Sequence, residues 1–173
     1  AVRPYVARSR AYRSYVITPT RIGNAPAVSY TVRTVAIDEL LATGQELFAA
    51  NWDESGTKER FRLLDELYRQ WAAAGVLCAV GAWHGDELVG YAVAPLVPHA
   101  HTGKVVAMVD TIYVSMPHRG DLHIEVMRVL GEEAAQRGAC ELLYAAKPGS
   151  AMDHIMRRRG CELREHLYVQ ELV

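Results

Sequence analysis

Between residues 57 and 74, Phe61, Leu64, Leu67, Tyr68 and Trp71 recur at intervals of three and four, and the pattern stops at Gly75. That spacing predicts an amphipathic helix ended by a glycine. Immediately afterwards the period changes. "VLCAVGAW" (76–83) and "LVGYAVAPLV" (88–97) are nearly continuous apolar runs rich in valine and aromatics. Separated by the turn sequence "HGDE", they predict a strand hairpin. A third run of this kind, "KVVAMVDTIYV" (104–114), follows the loop "PHAHTG". Leu122, Val126, Val129, Leu130 and Ala134 then return to helical spacing over about 122–137, with Gly138 as the stop. The other predicted elements are shorter: an alternating strand in "TVRTVA" (31–36), a helix opened by Asp38 as N-cap, a strand "CELLYAAK" (140–147), a helix "AMDHIMRRR" (151–159) ended by Gly160, and a last strand over "HLYVQEL" (166–172). The predicted order is β-α-α-β-β-β-α-β-α-β, without an internal repeat, in one domain spanning residues 31–173.

The first thirty residues follow neither period. They carry arginine at 3, 8, 10, 13 and 21, no acid before Asp38, and Pro4, Pro19 and Pro26. An extended basic arm over residues 1–30 is predicted. Arginine interleaved with Tyr5, Tyr12 and Tyr15 suits phosphates, nucleic acid or an acidic protein groove, and a solvated tail is the equal alternative.

Charge changes this picture little. Lys plus Arg is 19 against 20 for Asp plus Glu in 173 residues, which argues against a chain built as a whole to bind nucleic acid. Cys78, Cys140 and Cys161 are far apart and form no CxxC pair, so buried thiols in a reducing compartment are expected rather than a zinc knuckle. Apolar runs fall short of the ~20 residues of a membrane span, and arginines interrupt every candidate leader core. A soluble, intracellular protein is expected.

Between the run over 104–114 and the helix that follows lies "MPHRGDLHIEVM" (116–127), a turn with a glycine feeding a helix N-terminus. Such an N-terminus leaves backbone N–H groups unpaired and carries partial positive charge, so it receives phosphates. The element order together with this loop resembles the GNAT superfamily of acetyl-CoA-dependent N-acyltransferases over roughly residues 31–172. More narrowly, "ELVGYAVAPLVPHAHTG", "DTIYV" followed by "PHRG", and "GCELREHLYVQEL" are similar to a bacteriophage-encoded branch. The resemblance implies an α+β fold with a central mixed, mostly antiparallel sheet flanked by helices. It also implies acetyl transfer from acetyl-CoA to a primary amine, in the host cytoplasm, by a monomer or an oligomer. Backbone groups of Ile112, Tyr113 and Val114 would pair with the pantetheine arm, and His118, Arg119, Gly120, Asp121, Leu122 and His123 would form the pyrophosphate loop.

Two features of that loop depart from the family pattern. If Gly120 takes the first glycine position, the second falls at Leu122 or His123, where the backbone of a small residue would approach the phosphate. A carboxylate at Asp121 ~5 Å from a diphosphate, at an effective dielectric of ~20, would repel it by roughly 3 kcal/mol, about a hundredfold in affinity. Alternatively Asp121 is the N-cap and its carboxylate fills the anion site itself. Arg119 and a protonated His123 would offset part of the repulsion. These departures, the lack of an acid at Met108 or Val109 ahead of Asp110, and the long arm sustain a rival reading: a GNAT fold without catalysis, a phage virion or morphogenesis component docking on a capsid, portal or tail partner through residues 1–30. A third reading is a nucleic-acid-directed acyltransferase whose arm makes phosphate contacts.

For catalysis the resemblance implies a base for the amine and an acid for the departing thiolate. Related phage sequences carry an acid just ahead of the "DxxYV"-like segment, where this chain has Met108 or Val109. Asp110, His99 and His101 are therefore the candidates for base or water relay, and Tyr168 for the acid. The structural alternatives are pairing of Asp110 with Arg33 or Lys104, and Tyr168 as a core aromatic. His99 and His101 share a face if extended, but sequence supplies no third ligand among His84, His118, His154 and His166, so no metal is predicted. "MRRRG" (156–160) reads as a solvated basic helix end, with the adenosine phosphate as the alternative ligand.

Overall fold

A computed structural model describes residues 14–17, 29–170 and 172. The apolar runs pair as a seven-stranded sheet. β1 (Ser14–Ile17), β2 (Tyr30–Thr34), β3 (Leu77–His84) and β4 (Glu87–Pro98) pair antiparallel in that order. Beyond them β4 meets two short strands: its Gly90–Val93 stretch pairs with β6 (Thr111–Val114), and its Leu96–Pro98 stretch with β5 (Val105–Val109). β5 continues into a parallel pairing with β7 (Ala139–Tyr144). The expected mixed, mostly antiparallel sheet is present.

β3 and β4 are almost wholly buried because helices cover both faces. On one face lie α1 (Ile37–Thr43), α2 (Gln45–Ser55) and α3 (Asp65–Ala73), whose Leu40, Phe48 and Tyr68 pack with Tyr91 and Val93. On the other, α4 (Asp121–Gln136) sets Val126, Val129 and Leu130 against Val32, Val80 and Ala92. Each buried valine, leucine or phenylalanine among them stabilises the fold by roughly 1.5–3 kcal/mol. One bulge adjusts the two layers: Leu88 faces Trp83 and Gly90 faces Ala82, leaving Val89 as the extra residue. Gly81 makes room for the Trp83 ring, since a Cβ there would stand 2.3 Å from it.

Several elements differ from the sequence expectation, each for a local reason. The single helix predicted from Asp38 is α1 and α2, which meet at Gly44, and the N-cap of α1 is Ala36. Asp38 lies in the first turn and pairs with Arg69 at 2.8 Å. The helix predicted over 57–74 begins only at Asp65. Ahead of it Trp52 Nε1 donates to the Glu59 carbonyl at 2.8 Å and Phe61 packs beside Trp52, so those residues serve α2 instead of a helix of their own. The strand over 104–114 breaks at Asp110, whose N–H crosses to the Val93 carbonyl at 3.0 Å.

The last predicted strand, 166–172, does not form among the described residues: residues 161–170 have no strand assignment, and Leu167, Tyr168 and Val169 are 84%, 87% and 85% exposed. A strand pattern is realised only where an edge receives it. Here the described contact with β7 is an ion pair, Arg164 to Glu141 at 2.9 Å. At the other end, residues 14–17 of the predicted arm form β1, where the Tyr15 hydroxyl donates to Glu132 at 2.6 Å and Arg128 lies 4.5 Å from the ring centroid. The rest of the arm, residues 1–13 and 18–28, lies outside the described residues. Only Cys78 is buried; Cys140 and Cys161 are exposed, against the expectation of buried thiols. α5 (Ala151–Arg158) is capped by the Ser150 side chain. No helix among the described residues is long and apolar enough to cross a membrane.

Candidate active site

The break at Asp110 is the centre of the site. Up to that point β5 has a neighbour on each side, and its ladder with β7 ends where Val109 faces Tyr144. Beyond it, among the described residues, β6 keeps β4 alone. The Ser115 N–H donates to the Val89 carbonyl at 2.9 Å, which puts Ser115 and, by alternation, Tyr113 on the β4 side of the ladder. Ile112 and Val114 therefore turn their backbone groups to the open edge. The Val114 carbonyl is taken by Arg119 Nε at 2.9 Å.

Helices α2 and α3 supply the side chains along this edge. Tyr68 donates its hydroxyl to Asp110 Oδ2 at 2.5 Å. Burial, and secondarily the Asp110 carboxylate, push the Tyr68 phenol far above its ordinary pKa, so it remains a donor. Asp110 itself is exposed at the mouth. Its suggested partners are used elsewhere: Arg33 pairs with Glu39 and lies 4.1 Å from the Trp83 ring, and Lys104 stands before the far end of β5. Asn51 donates to Thr111 Oγ1 at 2.7 Å and to the Tyr91 hydroxyl at 3.2 Å. One helical turn on, Glu54 accepts from the Tyr113 hydroxyl at 2.6 Å and from Arg119 Nη2 at 2.5 Å. The Tyr113 hydrogen bond, then Arg119, holds the Glu54 carboxyl below its ordinary range. Lys147, after β7, donates to the Ser55 carbonyl at 2.6 Å and so spans from the β7 side to the C-terminal end of α2.

Past β6 the chain makes one turn of 3-10 helix (Met116–His118) and enters α4 through Gly120 at φ 121°, a conformation L side chains rarely adopt. An added Cβ at Gly120 would meet nothing within 4 Å, so the space beside the turn is open. Gly120 is the N-cap and has no side chain to fill the anion position. Asp121 is the first residue of the helix and exposed, which corrects its reading as N-cap. Leu122 is 5% exposed and packs in the core, so its side chain does not obstruct the turn. His123 is half-buried, and burial lowers its pKa while a hydrogen bond to the Gly120 backbone opposes that shift.

Asp110 thus shares one open edge with Ile112, Tyr113 and Val114 and with the loop His118, Arg119, Gly120, Asp121, Leu122 and His123. Three sequence candidates lie elsewhere. His99 and His101 are in the exposed loop before β5, where their rings stack edge to face at 5.8 Å. The length of β5, about 17 Å at ~3.3 Å per residue, separates them from Asp110. Tyr168 is on the unpaired C-terminal segment, 87% exposed rather than a core aromatic. In "MRRRG", Arg157 pairs with Asp153 at 2.9 Å, and Arg158 and Arg159 are exposed. Sequence reading missed Asn51, Glu54 and Lys147. The first two had a signal, a polar pair three residues apart on a helix that must bury a face.

No protein-family model matches this chain, and no curated protein sequence matches it. Solved structures do. A ribosomal-protein-alanine N-acetyltransferase from Brucella melitensis biovar Abortus 2308 is 20% identical, with 83% of this chain and 98% of that one covered at a TM-score of 0.69. An aminoglycoside acetyltransferase from an uncultured soil metagenomic sample is 19% identical over 83% and 97%, with a TM-score of 0.65. Glucosamine-6-phosphate N-acetyltransferase from Arabidopsis thaliana is 9% identical over 83% and 97%, with a TM-score of 0.61. At these identities the likeness is one of fold: the chain has the GNAT-like α+β fold that these acetyltransferases share.

Proposed function

We propose that this chain is an acetyl-CoA-dependent N-acetyltransferase acting on a primary amine. The observation that carries this reading is the open outer edge of β6 leading directly into an uncapped α4 N-terminus with Gly120 at positive φ. The donor set fits the co-substrate: a free strand edge suits the amides of the pantetheine arm, and unpaired helix N–H groups suit the pyrophosphate. Acetyl-CoA supplies an acetyl group activated as a thioester. Ile112 and the Val114 N–H would bind the arm. The first turn of α4 would receive the phosphates.

Asp110 is the base. Its exposed carboxylate, oriented by the Tyr68 hydroxyl, accepts the proton that the amine loses as its nitrogen bonds the acetyl carbon. The carbon–sulfur bond breaks with its electron pair leaving on CoA as the thiolate, which solvent protonates. The structural neighbours are described as acting on aminoglycosides, on ribosomal-protein alanine and on glucosamine 6-phosphate, which share a primary amine. That common chemistry supports an amine acceptor here. The bacteriophage branch rests on the quoted sequence segments alone. The noncatalytic virion reading drew on the loop, on the missing acid ahead of Asp110 and on the N-terminal arm; Leu122 turned into the core removes one obstruction from the first of these and leaves the other two as they stand.

The test is calorimetric titration of the full chain with acetyl-CoA, followed by thiol release with aminoglycoside, amino-sugar phosphate and alanyl-peptide acceptors. Micromolar binding is expected. Asp110→Asn should keep that affinity and lower turnover about 10²–10⁴-fold. Absence of binding at millimolar acetyl-CoA would refute the proposal.

A further inference from the structure

The β3–β4 hairpin turns through Gly85 and Asp86, with Gly85 at φ 59°, and its register sets His84 directly opposite Glu87. Opposed residues of an antiparallel pair project on one face about 5 Å apart. On the next strand Tyr30 stands opposite His84, and its hydroxyl is 3.2 Å from His118 Nδ1. The His84 and His118 rings are 5.4 Å apart. One ligand atom from each of His84, Glu87 and His118 lies within 4.8 Å of the other two. Three segments distant in sequence, Tyr30, the hairpin turn 84–87 and His118, thus converge on two imidazoles and a carboxylate.

We propose that His84, Glu87 and His118 form a binding site for a zinc-type divalent cation. Two histidines and one glutamate are a known zinc ligand set, with the fourth position left to water or another ligand. Imidazole also selects against the harder magnesium and calcium ions. Zinc bonds of about 2.0–2.1 Å put tetrahedral ligands about 3.3 Å apart, so the three atoms must close by at most about 1.5 Å. Side-chain rotation accommodates that, because His84 and Glu87 are exposed and His118 is only half-buried. Tyr30 holds Nδ1 of His118 and leaves Nε2 as its ligand atom, the kind of outer hydrogen bond that orients metal-binding imidazoles. The bound ion clamps the 3-10 turn, two residues ahead of Gly120, to the β3–β4 hairpin. It thereby holds the approach to the α4 N-terminus in one shape.

The experiment is calorimetric titration of the full chain with Zn²⁺ in a non-chelating buffer, with Co²⁺ as a spectroscopic probe of the coordination sphere. One ion per chain, at micromolar affinity or tighter, and a tetrahedral Co²⁺ visible spectrum are expected. His84→Ala, Glu87→Gln and His118→Ala should each weaken binding about a hundredfold or more, and Tyr30→Phe about tenfold. His154→Ala, on α5, should leave it unchanged. Zn²⁺ should also slow amide exchange over residues 115–120. Failure to bind at millimolar Zn²⁺, or binding that survives the His84→Ala, Glu87→Gln double substitution, would overturn the site. Binding without added amide protection would overturn the clamp. Neither readout depends on acetyl transfer, so the site stands or falls apart from the proposed activity.

Discussion

β5 and β6 are two halves of one apolar run, yet they live in different surroundings. β5 sits between β4 and β7, whereas β6, among the described residues, has β4 on one side and an open edge on the other. A single residue, Asp110, separates them. Its carboxylate is held by Tyr68 and its N–H by the Val93 carbonyl, so the chain steps out of one ladder and into the next. The comparison shows that a sheet is opened for binding by changing a strand's partners; its hydrophobicity need not change. Both faces of β6 are packed despite its open edge, with Tyr113 and Val114 8% and 5% exposed.

The largest expected effect tests that packing. Tyr91 faces Tyr113 across the ladder and is fully buried against Phe48. Tyr91→Ala should cost about 3–5 kcal/mol in urea unfolding, whereas Tyr168→Ala should stay within about 0.5 kcal/mol of wild type. Comparable losses at both positions would mean that the C-terminal segment is packed after all.

A smaller effect is expected at the break itself. Tyr68→Phe removes a hydrogen bond to a carboxylate and should destabilise by about 1–2 kcal/mol. In a double-mutant cycle with Asp110→Asn the two losses should be non-additive, because both substitutions alter the same bond. Additivity would show that Tyr68 does not hold Asp110.

The smallest effect concerns the open edge and appears with pH. The Glu54 carboxyl is held below its ordinary value of 4.5 by Tyr113 and Arg119. A carboxylate with a lowered folded pKa adds stability above the unfolded value and loses it as pH falls through the folded one. The melting temperature of wild type should therefore fall more steeply below about pH 4.5 than that of Glu54→Gln. Since Glu54 is largely solvated the difference should be small, and identical profiles would remove Glu54 from the edge network.

Much of the fold was legible because it depends on period. The helix predicted over about 122–137 became α4 to within a residue at each end, and "HGDE" became the β3–β4 turn. The loop from His118 to His123 was legible as a segment, but not the direction of its side chains. Leu122 looked obstructive in the one-dimensional pattern and is core-facing in the helix.

Periodicity along the chain therefore established the helices, the apolar strands, the hairpin and the glycine that admits the chain to α4. Spacing of three to four or of two residues reports which face is dry, and that is a local property. Tertiary structure alone decided that, among the described residues, β6 is open and the 166–172 pattern pairs with no strand, that Asn51 and Glu54 line the edge, and that His84, Glu87 and His118 meet. Each of those depends on a partner far away in sequence. A residue's pattern shows that it wants a neighbour, and only the packed chain determines which neighbour arrives.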